Sequence, residues 1–587
     1  MSEALPDSAW SQAVQRLRAL ARADEAWLAV LAAGVGMAAG CGVAAVNAIT
    51  GLMHGHLFLL PPGGGISEAS HLPWLRLLLV PGCGGLVLGL AMAVLSRFRP
   101  RVPVDPIEAN ALYGGRMSLT DSILVTAQTM LSNGVGASVG MEAGYAQFGA
   151  GLASKLGQAL RLRRNDLRVL VGCGAAAAIG GAFNAPLCGA FYGIELVMGV
   201  YTMASLPYVV IAALAGTLTV QALGFGTPPL SVTLPQTIPD LAYVLILVLG
   251  VVCGLAGIVI MRGATLIEAG FRASGIPPWA RPALAGLVVG ALGCITPKAM
   301  SSGHSALHAY INVSFPFFVV LGFFVIKASA SAVSIGAGFR GGLFFASLFL
   351  GALLGKVFAG LLGVIPFMPP LPPGLFAVVG MSGLAASVVG GPMTMTFLAL
   401  ESTRNFTATM AVLAAAIAAT LTTRRLFGYS FTTWRFHLRG APIRSGVDIG
   451  WVRTLTVGRM MRSAPKIVQA EMSLADFRRE VPAGALARVI VVDAQERYAG
   501  MIYPPEAAVA TGEGRKVADL MHHQGRFLVP GMNVREALDA FEQAAADALA
   551  VVEDAEGLKV LGLVTEQHAL RRYSEELDRR HREISGA

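Results

Sequence analysis

The chain has 587 residues, of which 55% are hydrophobic and 13% charged, so it is too apolar and too long to be a single soluble domain. Several apolar stretches exceed the span of a bilayer, which predicts a polytopic α-helical membrane protein. The net charge of +9 comes largely from arginine clusters beside these stretches, and no nucleic-acid partner is needed to explain it. All six cysteines lie in apolar runs without the spacing of metal ligands, so we expect no metal site.

Residues 1–25 combine acids and arginines with apolar residues at helical spacing, as at Trp10, Val14 and Leu17. No basic leader precedes a short apolar core here, so we interpret this segment as a cytoplasmic amphipathic helix and not as a signal peptide. A transmembrane domain is predicted over residues 26–440. Its apolar stretches lie near residues 26–50, 72–97, 122–160, 168–224, 240–265, 281–296, 314–365 and 373–422, and several can hold two helices with a break between them.

A carboxylate lies among small residues in the third apolar stretch, where residues 140–144 read Gly-Met-Glu-Ala-Gly. A charge at the bilayer centre costs roughly 2.5–3.5 kcal/mol on insertion scales, so an intramembrane acid is by default a functional residue. The apolar run over residues 145–160 predicts a helix that starts at this point. The first N–H groups of a helix lack partners and attract anions. We therefore expect an anion site here, with Glu142 as an internal anion that competes for it.

The transmembrane domain contains an internal repeat, in which residues 172–186 resemble residues 380–392. In each copy a glutamate follows the proline by nine residues, at Glu195 and at Glu401. Because the two acids occupy equivalent places, we interpret them as structural hydrogen-bond anchors at helix ends.

Each copy of the repeat is preceded by a glycine-rich helix start, at residues 140–144 and 338–345. Two such halves, about 26–224 and 240–440, predict an inverted repeat whose broken helices meet at one site near the membrane midplane. Two helix N-termini that converge on one point would attract an anion.

From about residue 452 the charge rises and short apolar strands alternate with helices. Two similar units, about 452–512 and 515–575, predict a tandem α/β module over residues 452–587 on the cytoplasmic side. The predicted strands are 489–493, 549–552 and 560–564, and the predicted helices are 473–481, 534–546 and 566–579.

Four segments, in order and at compatible spacing, resemble motifs of the CLC family of chloride channels and proton/chloride exchangers. Residues 140–144 lie where the family has Gly-Arg/Lys-Glu-Gly-Pro, and residues 183–187 are Phe-Asn-Ala-Pro-Leu, an unaltered family element. Residues 341–344 match Gly-Gly-Ile-Phe, and residues 392–405 match the stretch Pro-Leu-Thr…Leu-Glu-Met-Thr-x-Asn. The tail resembles the pair of cystathionine-β-synthase (CBS) domains found in this family.

The resemblance implies an anion channel or transporter, not an enzyme, that forms a homodimer with one pore in each subunit. The short tail and the lack of a targeting segment lead us to expect that the protein lies in a bacterial inner membrane, in contact with membrane lipid. Glu142 falls on the family's gating glutamate, whose carboxylate occupies the outer anion site when deprotonated and swings away when protonated. Anion-binding amides would come from Met141 and Ala143 and from Gly342, Leu343, Phe344 and Phe345, with Phe344 beside the central site.

Both side-chain donors of the family's central site are changed in this chain. The serine of the motif Gly-Ser-Gly-Ile-Pro aligns by spacing with Pro103, as in nitrate-preferring plant members, and Asp105 nearby would repel anions unless it is turned away. The pore tyrosine aligns with Thr432, and Tyr429 lies one helical turn away, so either residue is a candidate to replace it. The resemblance thus leaves chloride and nitrate open as the transported anion.

Two further departures bear on the mechanism. Met141 replaces a cation next to the gate, which lowers the attraction for incoming anions, and Arg340 is positioned in sequence to restore it. Glu195 matches the first glutamate of the family's Glu-Glu pair, but the second, the inner proton acceptor of many exchangers, is Leu196. Leucine cannot relay a proton, so the sequence favours a channel or uniporter, and a proton-coupled exchanger is the alternative.

The tail carries half of a nucleotide-binding motif. Residues 562–568 match the CBS segment whose threonine and aspartate hold the phosphate and ribose of a nucleotide. Thr565 is present, but His568 replaces the aspartate. Binding of an adenine nucleotide by the tail therefore rests on Thr565 alone.

Two alternatives belong to other classes of protein. Residues 136–140 fit Gly-x-Ser-x-Gly, the pattern of a hydrolase nucleophile, which makes an intramembrane serine hydrolase at Ser138 a remote hypothesis. Such an enzyme needs a base within hydrogen-bond reach of the serine, and the histidines before the tail lie in or beside loops. The altered selectivity motifs also allow a CBS-regulated sensor whose pore no longer conducts.

Overall fold

Helices that break at glycine and proline make up most of the protein, in a computed structural model that describes residues 25–61, 63–100, 102–364, 372–439, 443, 455–482, 488–510 and 514–585. The chain divides into two units, residues 1–447 and 448–587, which are described one at a time. The amphipathic helix expected over residues 1–25 lies, except for its last residue, outside the described part.

The first half of the transmembrane unit contains eight α-helices among the described residues. They are α1 Glu25–Phe58, α2 Trp74–Phe98, α3 Pro106–Leu112, α4 Leu119–Gly134, α5 Glu142–Ala159, α6 Arg164–Phe183, α7 Pro186–Tyr192 and α8 Leu206–Ala222. A π-helical turn, Gly193–Met198, follows α7, and a 3-10 turn, Ile66–Glu68, lies between α1 and α2.

The second half contains nine α-helices in the described ranges and a 3-10 turn, Pro297–Ala299. They are α9 Asp240–Ala273, α10 Arg281–Ile295, α11 His304–Tyr310, α12 Phe317–Gly336, α13 Phe344–Leu362, α14 Pro373–Val389, α15 Pro392–Thr403, α16 Phe406–Leu426 and α17 Phe431–Leu438. Within the described residues, seven helical segments are long and apolar enough to cross a membrane. The predicted fold class, a polytopic membrane protein of broken helices, is confirmed.

The helix breaks occur at the same place in both halves. Asn184 directly follows α6 and Gly390 directly follows α14, and both residues have a left-handed backbone, with φ of 55° and 90°. The next helix then begins with proline, Pro186 in α7 and Pro392 in α15. A left-handed residue ends a helix, and proline is tolerated in a first turn because its missing N–H would have no partner there. The sequence repeat is therefore a structural repeat.

Glycine pairs bring the helices of each half into close contact. A Cβ atom at Gly149 would overlap the carbonyl oxygen of Gly174, and one at Gly351 would overlap that of Gly380. Small residues allow helix backbones in a membrane to approach closely. Both pairs occupy equivalent positions, since Gly149 and Gly351 each lie seven residues after the start of their helix, α5 and α13. The two helix starts are thus held by the same packing.

The described part of the second unit has the strands β1 Arg462–Ser463, β2 Ile467–Gln469, β3 Val489–Val492, β4 Tyr498–Ile502, β5 Ala548–Val552 and β6 Val560–Thr565. They form two three-stranded sheets, with strand orders β2-β3-β4 and β1-β6-β5. Strand β3 is parallel to β2 and antiparallel to β4, and the pairs in the other sheet are antiparallel. The helices are α18 Val457–Met460, α19 Leu474–Glu480, α20 Pro504–Val509, α21 Val534–Ala544 and α22 Glu566–Ser585, with a 3-10 turn at Val517–Leu520. The predicted strands and helices of the tail are confirmed, and α22 extends beyond its predicted end.

An ion pair links the two predicted units of the tail. Arg488 directly precedes β3 and Asp547 directly precedes β5. The guanidinium donates from Nε to Oδ1 at 3.0 Å, and its Nη2 contacts Oδ2. This hydrogen bonding lowers the pKa of Asp547 below its usual value. The pair is partly exposed, so its contribution to stability is at most about 1 kcal/mol.

Candidate anion site

An antiparallel bridge joins the two glycine-rich loops that precede α5 and α13. Gly140 N–H donates to the carbonyl of Gly342 at 2.9 Å, and Gly342 N–H donates to the carbonyl of Gly140 at 3.2 Å. The N-termini of two helices from opposite halves therefore lie side by side. This is the convergence that the internal repeat predicts.

The Glu142 carboxylate occupies the N-terminus of the opposite helix. Its Oε1 accepts a hydrogen bond of 2.7 Å from the backbone N–H of Phe344, the first residue of α13. The residue is 3% exposed, and its Oε2 has no hydrogen-bond partner within the described residues. A negative group is stabilised at a helix N-terminus by unpaired N–H groups and by the helix dipole. The Glu142 carboxylate is therefore stabilised by the N-terminus of α13.

Glycine leaves the space that this carboxylate fills. A Cβ atom at Gly342 would overlap Oε1 of Glu142, and one at Gly140 would overlap Oε2. A third glycine, Gly341, brings its backbone close to Val139, where an added Cβ would lie 2.6 Å from the valine Cβ. The glycines of both motifs are therefore required by the packing around Glu142.

A cavity of about 340 Å³, here called the central cavity, lies against these two helix starts. Its lining includes seven predicted site residues and the predicted relay position: Pro103, Glu142, Ala143, Leu196, Gly342, Leu343, Phe344 and Thr432. Residues that are more than 300 positions apart in the sequence thus meet around one space.

The side chains of two residues whose amides are predicted to bind the anion lie outside the central cavity. The sulfur of Met141 contacts the hydroxyls of Thr50 at 3.4 Å and Tyr145 at 3.5 Å. The ring of Phe345 stacks on that of Phe183, with centroids 4.2 Å apart, and lines a second cavity of about 130 Å³. Neither side chain is among those that line the central cavity.

Three residues are candidates for the role of the pore tyrosine. Thr432 lines the central cavity, whereas the ring of Tyr429 stacks on His437 with centroids 4.7 Å apart. A third residue, Tyr192, also lines the cavity, with its ring centroid 6.1 Å from that of Phe344. Sequence analysis missed Tyr192, because its only signal is its place in the helix that starts at Pro186.

The carboxylate of Asp105 lines the central cavity but is engaged by its own helix. Its Oδ1 accepts a hydrogen bond of 2.9 Å from the N–H of Ile107, so Asp105 caps the N-terminus of α3. One N–H group of the α3 N-terminus is therefore engaged by its own cap.

Glu195 and Glu401 cap helices of the opposite half. Glu401 accepts from the N–H groups of Leu187 and Cys188 at the start of α7, both at 2.8 Å. Glu195 accepts from the N–H and hydroxyl of Thr394 at the start of α15, at 3.0 and 2.8 Å. The interpretation of these acids as anchors at helix ends is confirmed.

Ser138 is a structural residue and not a hydrolase nucleophile. Its Oγ lies 2.9 Å from the Nζ of Lys327, which resembles a serine–lysine dyad. The same Nζ, however, donates to the carbonyls of Ala299, Met300 and Ser301, at 3.3, 3.4 and 2.7 Å, so it is a hydrogen-bond donor here and not a base. Both side chains have 0% exposed surface, out of reach of a substrate.

In the tail, the hydroxyl of Thr565 accepts a hydrogen bond of 3.3 Å from the N–H of His568. Thr565 ends β6, and α22 follows it directly. The two residues of the partial nucleotide motif are therefore adjacent, with the threonine hydroxyl at the start of a helix.

Comparison with known proteins identifies the family to which the chain belongs. A family model described as voltage gated chloride channel matches residues 84–424, more than half of the chain, and a CBS domain model matches residues 517–575. The chain is 33% identical over 367 residues to a protein of Ralstonia nicotianae described as a ClcB-like chloride channel, with 60% of this chain and 84% of that relative covered. It is 30% identical over 402 residues to the voltage-gated ClC-type chloride channel ClcB of Escherichia coli O81, with 66% of this chain and 94% of the relative covered.

Solved structures share the fold. A slow cyanobacterial Cl⁻/H⁺ antiporter matches with a TM-score of 0.61 and 21% identity, over 70% of this chain and 97% of that one. A eukaryotic CLC transporter matches with a TM-score of 0.59 and 18% identity, over 95% of this chain and 98% of that one. Fold and site define a membrane protein of the channel and transporter class, not an enzyme. The chain belongs to the voltage gated chloride channel (CLC) family and carries a CBS domain in its tail.

Proposed function

We propose that this protein carries chloride or a chloride-like anion across a bacterial inner membrane through the central cavity, and that Glu142 is the gate. The observation behind the proposal is the hydrogen bond from Phe344 N–H to the Glu142 carboxylate. The Ralstonia and Escherichia coli relatives are described as chloride channels, which supports transport of chloride or a chloride-like anion.

The gate works by competition between two anions for one helix terminus. When Glu142 is ionised, its carboxylate holds the Phe344 N–H and excludes a free anion. Protonation removes the charge that the helix terminus stabilises, so the side chain leaves and a free anion enters. Backbone N–H groups and a helix dipole hold an anion weakly enough for it to leave again, as conduction requires.

Transport without protons is the first form of this proposal. Leu196 lines the central cavity at the position that the family resemblance gives to the inner proton acceptor. The neighbouring acid Glu195 is held by Thr394 and is not among the residues that line the cavity. Leu196 has no carboxylate, and the carboxylate of Glu195 is engaged by Thr394 outside the cavity lining, so neither position offers a proton acceptor to the cavity.

A proton-coupled exchanger is the second candidate. The observation that favours it is Asp105, whose carboxylate lines the same cavity as Glu142 and Leu196. An acid in that place gives protons an alternative acceptor on the way to the gate.

The reversal potential of purified protein in liposomes distinguishes the two forms. A potential that follows the anion gradient alone establishes a channel or uniporter, and a displacement by an added pH gradient establishes exchange. Glu142→Gln, which mimics the protonated acid, should weaken the pH dependence of flux, while Asp240→Asn, at an exposed position, should leave it intact. An unchanged pH profile in Glu142→Gln removes Glu142 from the gate.

We further propose the assembly and domain limits that the family resemblance implies. The protein is a homodimer, with the transmembrane domain over residues 26–440 and the amphipathic segment over residues 1–25. Residues 452–587 form a cytoplasmic CBS pair, in which Thr565 binds an adenine nucleotide. Nucleotide-dependent protection of the full-length protein against heat, lost in Thr565→Ala, tests the last point.

A further inference from the structure

Two N–H groups at the helix termini of the central cavity are engaged by acids while these acids are ionised. Phe344 N–H is held by Glu142, and Ile107 N–H is held by Asp105. Side chains of the cavity lining can supply further donors to an anion that enters the cavity in this state.

Three guanidinium groups supply such donors. Arg340, Arg435 and Arg439 line the central cavity, and none of them forms an ion pair or a side-chain hydrogen bond with the described residues. The Nε of Arg340 is buried and has no partner in the described part of the chain. Its backbone N–H donates to Ser132 Oγ at 3.0 Å, which fixes the residue beside the glycines of the second helix start. A guanidinium without an ion-pair partner can donate to a bound anion through its other N–H groups.

The charges that face the cavity fit a monovalent anion. Its lining carries three cations, the arginines named above, and two acids, Asp105 and Glu142, which leaves one positive charge in excess when both acids are ionised. A divalent anion would leave an excess of negative charge in a mostly buried space, which is unfavourable.

The shape of the donors fits a planar oxyanion better than a halide. A guanidinium presents two parallel N–H groups that match two oxygens of one ligand, whereas a monatomic ion accepts from them at a single point. The hydroxyls of Tyr192 and Thr432 line the same cavity and can donate to a third oxygen.

We propose that Arg340, with Arg435 and Arg439, forms a binding site for a small monovalent planar oxyanion, such as nitrate, bicarbonate or formate, in the central cavity. The inference rests on the proposed function in that the bound oxyanion is also the one transported. It differs from an anion site made of helix termini, because its selectivity depends on the fork of a guanidinium and not on backbone N–H groups.

The experiment measures nitrate and chloride permeability of the full-length protein in liposomes, for the wild type, Arg340→Lys and Arg340→Gln. Arg424→Gln is the matched control, since Arg424 is exposed and is not among the cavity-lining residues. The wild type should prefer nitrate. Arg340→Lys keeps the charge but loses the fork, so the nitrate/chloride ratio should fall by about tenfold, the equivalent of one charge-assisted hydrogen bond, with chloride flux retained. Arg340→Gln should lower the permeability of both anions.

Binding gives a readout that does not depend on transport. Sodium nitrate should raise the melting temperature of the detergent-solubilised wild type above its value in sodium chloride, and Arg340→Gln should lose this difference. A wild type that prefers chloride, or an Arg340→Lys ratio equal to that of the wild type, overturns the oxyanion site. If neither anion is transported but nitrate still binds, the proposed transport is wrong and the proposed oxyanion site is retained. Equal gel-filtration profiles show that the variants are folded.

Discussion

Gly342→Ala should open the gate without changing the gating acid. The added methyl group would overlap Oε1 of Glu142, which must then leave the N–H of Phe344. The backbone of Gly342 does not have a left-handed φ, so alanine adopts it without strain. The steric effect therefore falls on the carboxylate alone.

The size of the effect follows from the interaction that is lost. Glu142 and Phe344 share one charge-assisted hydrogen bond of 2.7 Å. Such a bond contributes about 1.5–3 kcal/mol, which corresponds to a shift of roughly 10- to 150-fold in the equilibrium between the occupied and the vacated helix terminus. Flux at alkaline pH should rise toward its acid value, and the pH profile should flatten.

Anion efflux from liposomes, measured between acid and alkaline pH, tests this prediction. Gly34→Ala is a suitable control, because no atom lies within 4 Å of the Cβ that it adds to a membrane helix. A pH profile of Gly342→Ala as steep as that of the wild type would refute the reasoning, since the carboxylate would then have kept its place despite the methyl group.

Three further results are expected. Lys327→Met should lower the melting temperature, because it leaves three buried carbonyls without their donor, at a cost of about 1–3 kcal/mol each. The control Lys155→Met changes an exposed residue and should leave the melting temperature unchanged. Pro103→Ser should shift the chloride/nitrate permeability ratio toward chloride, and an unchanged ratio would show that the alignment at this position is wrong. Asp547→Asn should destabilise the tail near neutral pH and less in acid, because the lowered pKa of Asp547 gives a stabilisation that is present above its unfolded pKa and lost as the pH falls through the folded one. Hydrogen exchange of strand β5, corrected for the intrinsic pH dependence, measures this loss, and equal exchange at all pH values would contradict it.

The sequence predicted those features that are local or repeated. The helix start at Glu142, its counterpart at Phe344 and the breaks before Pro186 and Pro392 all follow from glycine and proline at fixed spacing. These residues act on the backbone within a few positions of themselves, so a pattern in the chain is enough to find them.

Contacts between distant residues were not predictable in the same way. Tyr192 has no motif of its own, and the four hydrogen bonds of Lys327 reach residues 26 to 189 positions away. The sequence did not predict the orientation of the Asp105 side chain, because an aspartate before a helix can cap that helix and line a cavity at the same time. Such details depend on how the two halves pack, and no single segment encodes them.

The exchange of caps between the halves has a consequence for biosynthesis. The N–H groups of Leu187 and Cys188 depend on the carboxylate of Glu401, which is 214 and 213 residues further along the chain. While the polypeptide is being made, the first half enters the membrane with this helix terminus lacking its permanent acceptor, and it can reach its final structure only after the second half has been synthesised. The acid of the first half, Glu195, waits likewise for Thr394. A split protein should therefore assemble only when both halves are produced together.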